Sequence, residues 1–527
     1  MILAYEFIYL SKNAALENFL RAIAYEAKRD FYIKKEGWKI TLFVRGGEEE
    51  LKAFSDLLAV ELPLSIYLRS ATVKALSEWK PYEASAIERC EEPIGFTPKS
   101  QALAAQSGKW TIAPEIGAPI ALDNMPPIDN AIERLSKGES VAIEGKYTIS
   151  PLTDRYYDEN DVVMPTDIGF TASVAIAKEE DINALGSLER PIVRLPANLI
   201  FQSRYPKAPR AVNVALAGDL YLYLLSIRLA ESGVQAIALA NYDRPRVTAL
   251  KNQNIIVSGV TPQSSSRFLA IKEPHFRVFA AAIDEKGLQN EANLGFFFSA
   301  NYDDRVIFNS PKTGAIELVK INFPPSIAEI LSAIEKRDQS GAKLIAKYRE
   351  TYGETLAPIE AVSLENAPRN IVSLWAAAGL ILGFGDDLKS AGNRIFEHIA
   401  FGGAIKAPSA DYKLIAGEID SLGLIRSAIS YKLASAPDDL IAFSLCEGLA
   451  RFLGDLGDLI GAGLNAEAGL REARNADSFL ASLCVEAPQN IFLLGSLFSN
   501  KTFSRLALSH ISPGKTPLFP NEIPLEI

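Results

Sequence analysis

The chain has 527 residues, of which 48% are hydrophobic and 22% charged, the proportions of an ordinary soluble globular protein, and its length predicts roughly three to four domains. Lysine and arginine number 54 against 64 aspartates and glutamates, a net charge of −10; with no concentrated basic surface to neutralise phosphates, nucleic acid is excluded as a partner. The cysteines Cys90, Cys446 and Cys484 form no Cys-x-x-Cys pair, which excludes a structural zinc site or a disulfide framework and fits a reducing cytoplasm.

The opening MILAYEFIYLSKN has neither a basic leader nor a small-residue cleavage site, so no signal peptide is expected. The longest apolar run, Ile371–Phe384, falls short of the roughly 20 residues that span a bilayer. A buried helix is expected there, no transmembrane segment, and a cytoplasmic location.

Residues 1–75 read as one small domain. Leu3–Tyr9 is a strand. Ala14–Lys28 places Leu16, Phe19, Leu20, Ile23 and Ala27 at helical spacing. Phe31–Ile33 and Trp38–Val44 are strands that turn at Gly37. Glu48–Val60 is a helix with acids in its first turn, which suits the helix dipole. Leu64–Arg69 closes the set as a strand. The order β-α-β-β-α-β predicts a ferredoxin-like split βαβ arrangement. Residues 76–124, with Pro81, Pro93, Pro98, Pro114 and Pro119, read as a linker.

Residues 125–206 carry a helix at Ile128–Lys137, a strand at Ser140–Ile143, a helix at Lys178–Leu185 and a strand at Ile192–Leu195. Residues 207–527 read as α/β. Strands are expected at Val212–Ala217, Ala236–Leu239, Leu294–Phe298 and Ile316–Ile321, with a helix at Asp219–Ser232. After Pro324 the pattern turns helical at Ser326–Ile334, Gly341–Tyr352, Arg369–Leu382, Leu388–Ala400, Asp411–Leu422, Asp439–Ile460 and Asn465–Leu483. A strand at Asn490–Gly495, a helix at Asn500–Leu508 and a Pro-rich tail follow. The fold class expected is a multidomain mixture of α+β and α/β. Strands on both sides of a helical insertion fit an actin-like nucleotide-binding fold, whose phosphates sit between two α/β halves.

The stretch Glu273–Arg305 frames the candidate site. A helix starting at His275 precedes the aromatic strand Leu294–Phe298, which breaks into a polar turn ending in Asp303 and Asp304. A helix beside a strand that ends in a turn suits a metal or phosphate. One histidine cannot hold a metal that needs three or four ligands, so no metal site is expected, and His275 is expected to pack against Phe279. Asp303 with Asp304 reads equally simply as a type I turn. No Gly-x-Gly-x-x-Gly, Walker or His-Glu-x-x-His motif and no Ser/His/Asp arrangement is present, and no catalytic residue is assigned.

Several strings carry a resemblance. Val44–Phe54 and FYIKKEGW resemble strand and turn segments of acylphosphatases. Ile112–Gly145 resembles the end of a zinc segment running into a YrdC-like domain, and Ser187–Pro196 that domain's RPIVLL strand. Val214–Leu224 resembles the opening strand and turn of a TsaD-like domain, Lys389–Ala400 its SSxGRLFDAVA helix, and Leu493–Phe503 its SGGVFQNRLL segment at the nucleotide. In this order they resemble the HypF family of carbamoyltransferases, which mature NiFe-hydrogenases. The resemblance implies an acylphosphatase-like domain at 1–75, a remnant of the zinc segment at 76–124, a truncated YrdC-like domain at 125–206 and an actin-like, TsaD-type domain with a large helical insertion at 207–527.

The departures from that family imply lost chemistry. The acylphosphatase loop reads Leu10-Ser11-Lys12-Asn13-Ala14, without glycine or arginine, and Lys35 stands where that family has asparagine. Glu144 replaces a lysine at an anion site, reversing the charge. Tyr221 replaces another, and the metal-binding HHxH reads His275-Phe276-Arg277-Val278. Gly495, Asn500, Asp303 and Asp304 are what remains of a nucleotide site. Gly495 and Asn500 also suit a bare strand-turn-helix, which needs a glycine and an N-cap. The resemblance thus implies an accessory protein of the HydE type. It would dock hydrogenase maturation proteins or the hydrogenase large subunit, with no cofactor. The alternative it implies is a working ATP-dependent carbamoyltransferase with a remodelled site.

Overall fold

A computed structural model describes residues 1–79, 125–152, 161–251, 253–260, 266–401, 408–415, 417–462 and 487–526. Of the linker expected at 76–124, residues 80–124 lie outside them, as does the helix expected at Asn465–Leu483. The chain divides into two compact units, Met1–Gln263 and Ser264–Ile527.

Unit 1 begins with β1 (Ile2–Tyr9), β2 (Asp30–Glu36), β3 (Lys39–Arg45) and β4 (Leu68–Leu76). They form an antiparallel sheet in the order β2-β3-β1-β4. Alternation along β1 turns Tyr5, Phe7 and Tyr9 into the core, where Leu16 and Leu20 of the helix Ala15–Glu26 and Phe54 and Leu58 of the helix Glu48–Glu61 cover them. The β-α-β-β-α-β order is as read from the sequence. The last strand was placed too early: Ile66 and Tyr67 are buried in the connection, and β4 is an exposed edge.

The remainder of unit 1 is a single mixed sheet. Its described strands are β5 (Val141–Ile143), β6 (Tyr147–Pro151), β7 (Val162–Pro165), β8 (Ile192–Pro196), β9 (Ala211–Val214), β10 (Ala236–Ala240), β11 (Arg246–Leu250) and β12 (Gln253–Ser258). Their order is β12-β11-β8-β9-β7-β10-β6-β5. This overturns the boundary expected at 206/207. β9 lies between β8 and β7, and β10 pairs with both β6 and β7, Ile237 lying opposite Pro151 and Met164. The string Val214–Leu224 therefore runs from the end of β9 into the helix Leu220–Glu231, both within unit 1, and does not open a new domain. Asp219 is the N-cap of the helix Leu220–Glu231, accepting from Leu222 N at 2.9 Å, and also accepts from Tyr147 Oη at 2.6 Å.

Unit 2 contains β13 (Asn293–Phe297), β14 (Arg305–Ser310), β15 (Gly314–Ile321), β16 (Leu414–Ile415), β17 (Glu418–Ile419), β18 (Asn490–Leu494) and β19 (Thr516–Leu518), in the order β16-β17-β15-β14-β13-β18-β19. The helix Pro274–Lys286 lays Val278, Phe279 and Ile283 against Phe297, Ile307 and Phe492. A helical layer between β15 and β18 includes Ile327–Arg337, Gln339–Leu356, Ile371–Ile381, Leu388–Phe401, Ser421–Leu433 and Asp438–Ala462. The helix expected at Asp411–Leu422 is instead the β16–β17 hairpin, drawn onto the edge of β15, and the helix starts only at Ser421 behind its cap Asp420. The apolar run Ile371–Phe384 is a buried helix, as expected, with Trp375 Nε1 donating to Tyr412 Oη at 2.9 Å.

Candidate functional site

β13 and β18 are parallel neighbours, Phe297 lying opposite Leu494. Two turns therefore leave the same edge of the sheet side by side. They touch: Ala300 N donates to Ser496 Oγ at 2.9 Å and Leu497 N to Phe298 O at 3.0 Å. The topology thus brings together the candidate residues Asp303, Asp304 and Gly495, and Asn500 follows in the second turn. What it does with their polar groups is structural.

Asp304 is 1% exposed. One carboxylate oxygen accepts from Ser299 N at 2.7 Å and the other from Ile371 N at 2.6 Å, tying the turn to the start of the helix Ile371–Ile381. Burial pushes its carboxyl well above the usual carboxylate range, against the pull of the two amide bonds. Asp303 accepts from Arg369 N at 2.8 Å and from Arg305 Nη2 at 3.1 Å. Asn500 caps the helix Lys501–His510 through Phe503 N at 3.0 Å. Gly495 has φ +90°, and a Cβ there would sit 2.1 Å from Phe298 O. Only glycine fits that approach.

His275 is buried in the first turn of its helix. Its ring neighbours are Phe276 and Phe297, with centroids at 4.5 and 6.1 Å. The expected partner Phe279 faces Phe492 instead. His275 Nε2 lies 3.1 Å from Glu317 Oε1, and Arg305 pairs with both Glu317 and Asp303. This line of charges was not legible in the sequence, because β14 and β15 were needed to place Arg305 and Glu317. Burial lowers the His275 pKa, with the Glu317 and Glu273 carboxylates opposing and the Arg305 cation adding to the shift. As pH falls through about 6.5 the unfolded chain takes up a proton that the buried ring resists, so this group removes stability on acidification. His275→Gln is expected to flatten the slope of unfolding free energy against pH between 7 and 5, measured by urea titration.

The Pro-rich tail, including Phe519–Pro524, is visible in the sequence, but its place against these turns is not. After β19 the chain runs back over this edge, with Ile523 1% and Leu525 0% exposed. Leu525 O accepts from Gly495 N at 3.0 Å. The Glu526 carboxylate accepts from Ser496 N at 2.7 Å and from Asn301 Nδ2 at 2.9 Å. Behind it the buried Glu285 accepts from Asn521 N, Glu522 N and Ile523 N at 2.6, 2.7 and 3.3 Å. No local motif marks such long-range partners.

In unit 1 the loop Leu10–Ala14 is closed on itself. Asn13 Oδ1 accepts from Tyr9 Oη at 2.8 Å and from Ala15 N at 3.1 Å, Asn13 N donates to Ser11 Oγ at 3.1 Å, and Lys35 Nζ donates to Lys12 O at 3.3 Å. Among the described residues no group of three or more His, Cys, Asp or Glu could hold a metal ion. Among them no helix is long and apolar enough to cross a membrane.

No family model matches the chain. It is 23% identical to Protein HydE of Wolinella succinogenes over 531 aligned positions, 92% of each chain. It superposes on the crystal structure of T. kodakarensis HypF with a TM-score of 0.54 at 12% identity, covering 100% of this chain and 96% of that one. The figures are the same for full-length HypF in its phosphate- and nucleotide-bound form. The chain thus carries the HypF fold along its whole length and is similar to HydE over nearly all of both chains, which bears out the resemblance read from its sequence.

Proposed function

We propose that the protein is a HypF-derived accessory factor of NiFe-hydrogenase maturation that docks a maturation partner or the hydrogenase large subunit and does not turn over carbamoyl phosphate and ATP. The observation that carries this reading is the use made of the remnant nucleotide-site residues. Asp303, Asp304, Gly495 and Asn500 spend their polar groups or their space on holding unit 2 together. A catalytic site needs such groups aimed at its substrate. The closed loop at Leu10–Ala14 supports the same reading for the first domain. A phosphate loop presents several backbone N–H groups to one anion, whereas this loop binds its own side chains.

The domain identities belong to the same proposal. The four-stranded domain is acylphosphatase-like, the mixed sheet of residues 125–263 YrdC-like, and unit 2 TsaD-like. The linker at 76–124 is the reduced zinc segment.

The test is calorimetry of the full chain with ATP, together with ATP hydrolysis in the presence and absence of carbamoyl phosphate. The expected result is no heat of binding at millimolar ATP and no turnover stimulated by carbamoyl phosphate. Binding with stimulated turnover would establish the alternative, a carbamoyltransferase with a remodelled site. The docking role is tested separately, by co-purification with the hydrogenase large subunit and the maturation proteins from cells that make the hydrogenase. Recovery of none of them overturns it.

A further inference from the structure

Two neighbouring aliphatic side chains of unit 1 stand in solvent. Leu199 and Ile200 open the helix Leu199–Arg204 behind its cap Asn198, and each is 74% exposed. Ile176, 54% exposed, lies beside the start of that helix, because Ala175 bridges to Ala197 and Ile176 N donates to Pro196 O at 2.8 Å. Val174, Ala175, Ala197 and Phe201 from the same two segments are core residues, so the chain turns these inward and leaves the other three outward. A lone exposed aliphatic needs no explanation, whereas a group of them rimmed by polar residues marks a surface that meets another molecule.

The patch adjoins a cavity of about 400 Å³ whose apolar lining includes Leu135, Val174, Ile200, Phe201, Leu229 and Ile237. Ile200 belongs to both. The cavity lies at the end of β6, where Pro151 lines it. Glu144, where the HypF resemblance places an anion site, precedes the start of that strand. The two positions are therefore separate.

Charge narrows the partner. The chain has a net charge of −10, yet from Arg190 to Gly218 it holds no acidic residue and carries Arg190, Arg194, Arg204, Lys207 and Arg210. Arg204 lines the cavity and lies over the Tyr205 ring, 5.7 Å from its centroid. Among the described residues no hydrogen bond or ion pair takes up its guanidinium. Such a fork of donors matches a carboxylate.

We infer that this face docks a protein segment that presents an apolar side chain next to a carboxylate. The apolar group enters the cavity against Ile200 and Phe201, and the carboxylate meets Arg204. The inference rests on the docking role proposed above and assigns the surface and the chemistry that serve it. A cavity suits a protruding side chain rather than a lipid surface. A second copy meeting the same face would set one basic stretch against another.

The experiment repeats the co-purification with full-chain variants. Ile200→Asp puts a charge at the cavity, and Arg204→Glu reverses the one beside it. Both residues are exposed, so the core is left alone, which unchanged hydrogen exchange of the β8 peptide verifies. Recovery of the hydrogenase large subunit or maturation protein is expected to fall at least about tenfold with Ile200→Asp. With Arg204→Glu it falls, and what remains no longer weakens as salt is raised. Lys52→Glu, a like reversal on an exposed residue of the helix Glu48–Glu61, leaves recovery unchanged. Equal recovery by the unaltered chain and both variants overturns the inference and leaves the docking role standing. Recovery of no partner by the unaltered chain overturns both. Binding to phosphatidylglycerol vesicles, or self-association, that Ile200→Asp abolishes gives the face to a membrane or a second copy and overturns the inference alone.

Discussion

Replacing Gly495 by alanine is expected to cost unit 2 about 4 kcal/mol or more. Two penalties coincide. The residue sits at φ +90° and ψ 154°, a region that side-chain-bearing residues pay to enter. The added Cβ would also meet Phe298 O at 2.1 Å and Phe298 C at 2.5 Å. Those are backbone atoms just beyond β13, so relief requires moving one strand end against another. Gly514→Ala is the control, because nothing lies within 4 Å of a Cβ there, and its effect is expected to stay within about 0.5 kcal/mol. Urea unfolding of the full chain, followed by the fluorescence of buried Trp375, separates the two. A loss below about 1 kcal/mol for Gly495→Ala would show that the two turns do not approach as closely as described.

The second large effect is expected at Asp304. Alanine there strands Ser299 N–H and Ile371 N–H in the interior. Each unmade bond costs about 1–3 kcal/mol, so Asp304→Ala is expected to lose about 3–5 kcal/mol. Asp304→Asn keeps one oxygen to accept one amide, and is expected to lose roughly half as much. The contrast also bears on function. A buried carboxylate held in reserve for a ligand is usually better neutralised for folding, since its charge is costly without a partner. A neutral or stabilising Asp304→Asn, read by the same urea titration, would therefore return Asp304 to the list of ligand-binding residues.

Local periodicity carried much of the fold. The spacing of Leu16, Leu20 and Ile23 sufficed for the first helix, and the continuous apolar run Ile371–Phe384 for a buried one. Failures came where partners lay far apart in sequence. β9 and β10 were assigned to the wrong domain because their neighbours are β7, β8 and β6, and no local pattern records which strands pair. β4 was missed in part because an exposed edge strand has no apolar alternation to show, while the buried Ile66 and Tyr67 before it mimic one. No element was expected over β14, although Val306, Ile307 and Phe308 are all buried. At the candidate site the sequence named residues that do share one edge of the sheet. What it could not supply was the use of their side chains. Asp303 and Asp304 read the same whether they face a phosphate or the amides of Arg369 and Ile371. The Glu285 contacts, and the contact of Glu526 with Asn301, involve partners more than 200 residues away.

The placement of β18 between β13 and β19 has a consequence for how the protein is made. Asn293 and Asn490 are neighbours in the sheet but 197 residues apart, with a helical layer between them. On the ribosome β13 emerges long before β18. Until then β13 has an open side, and such an unpaired apolar edge is a template for pairing with another chain. Because contacts of large sequence separation form late, completion of this sheet is expected to be slow, and nascent chains stalled before residue 490 are expected to expose that edge.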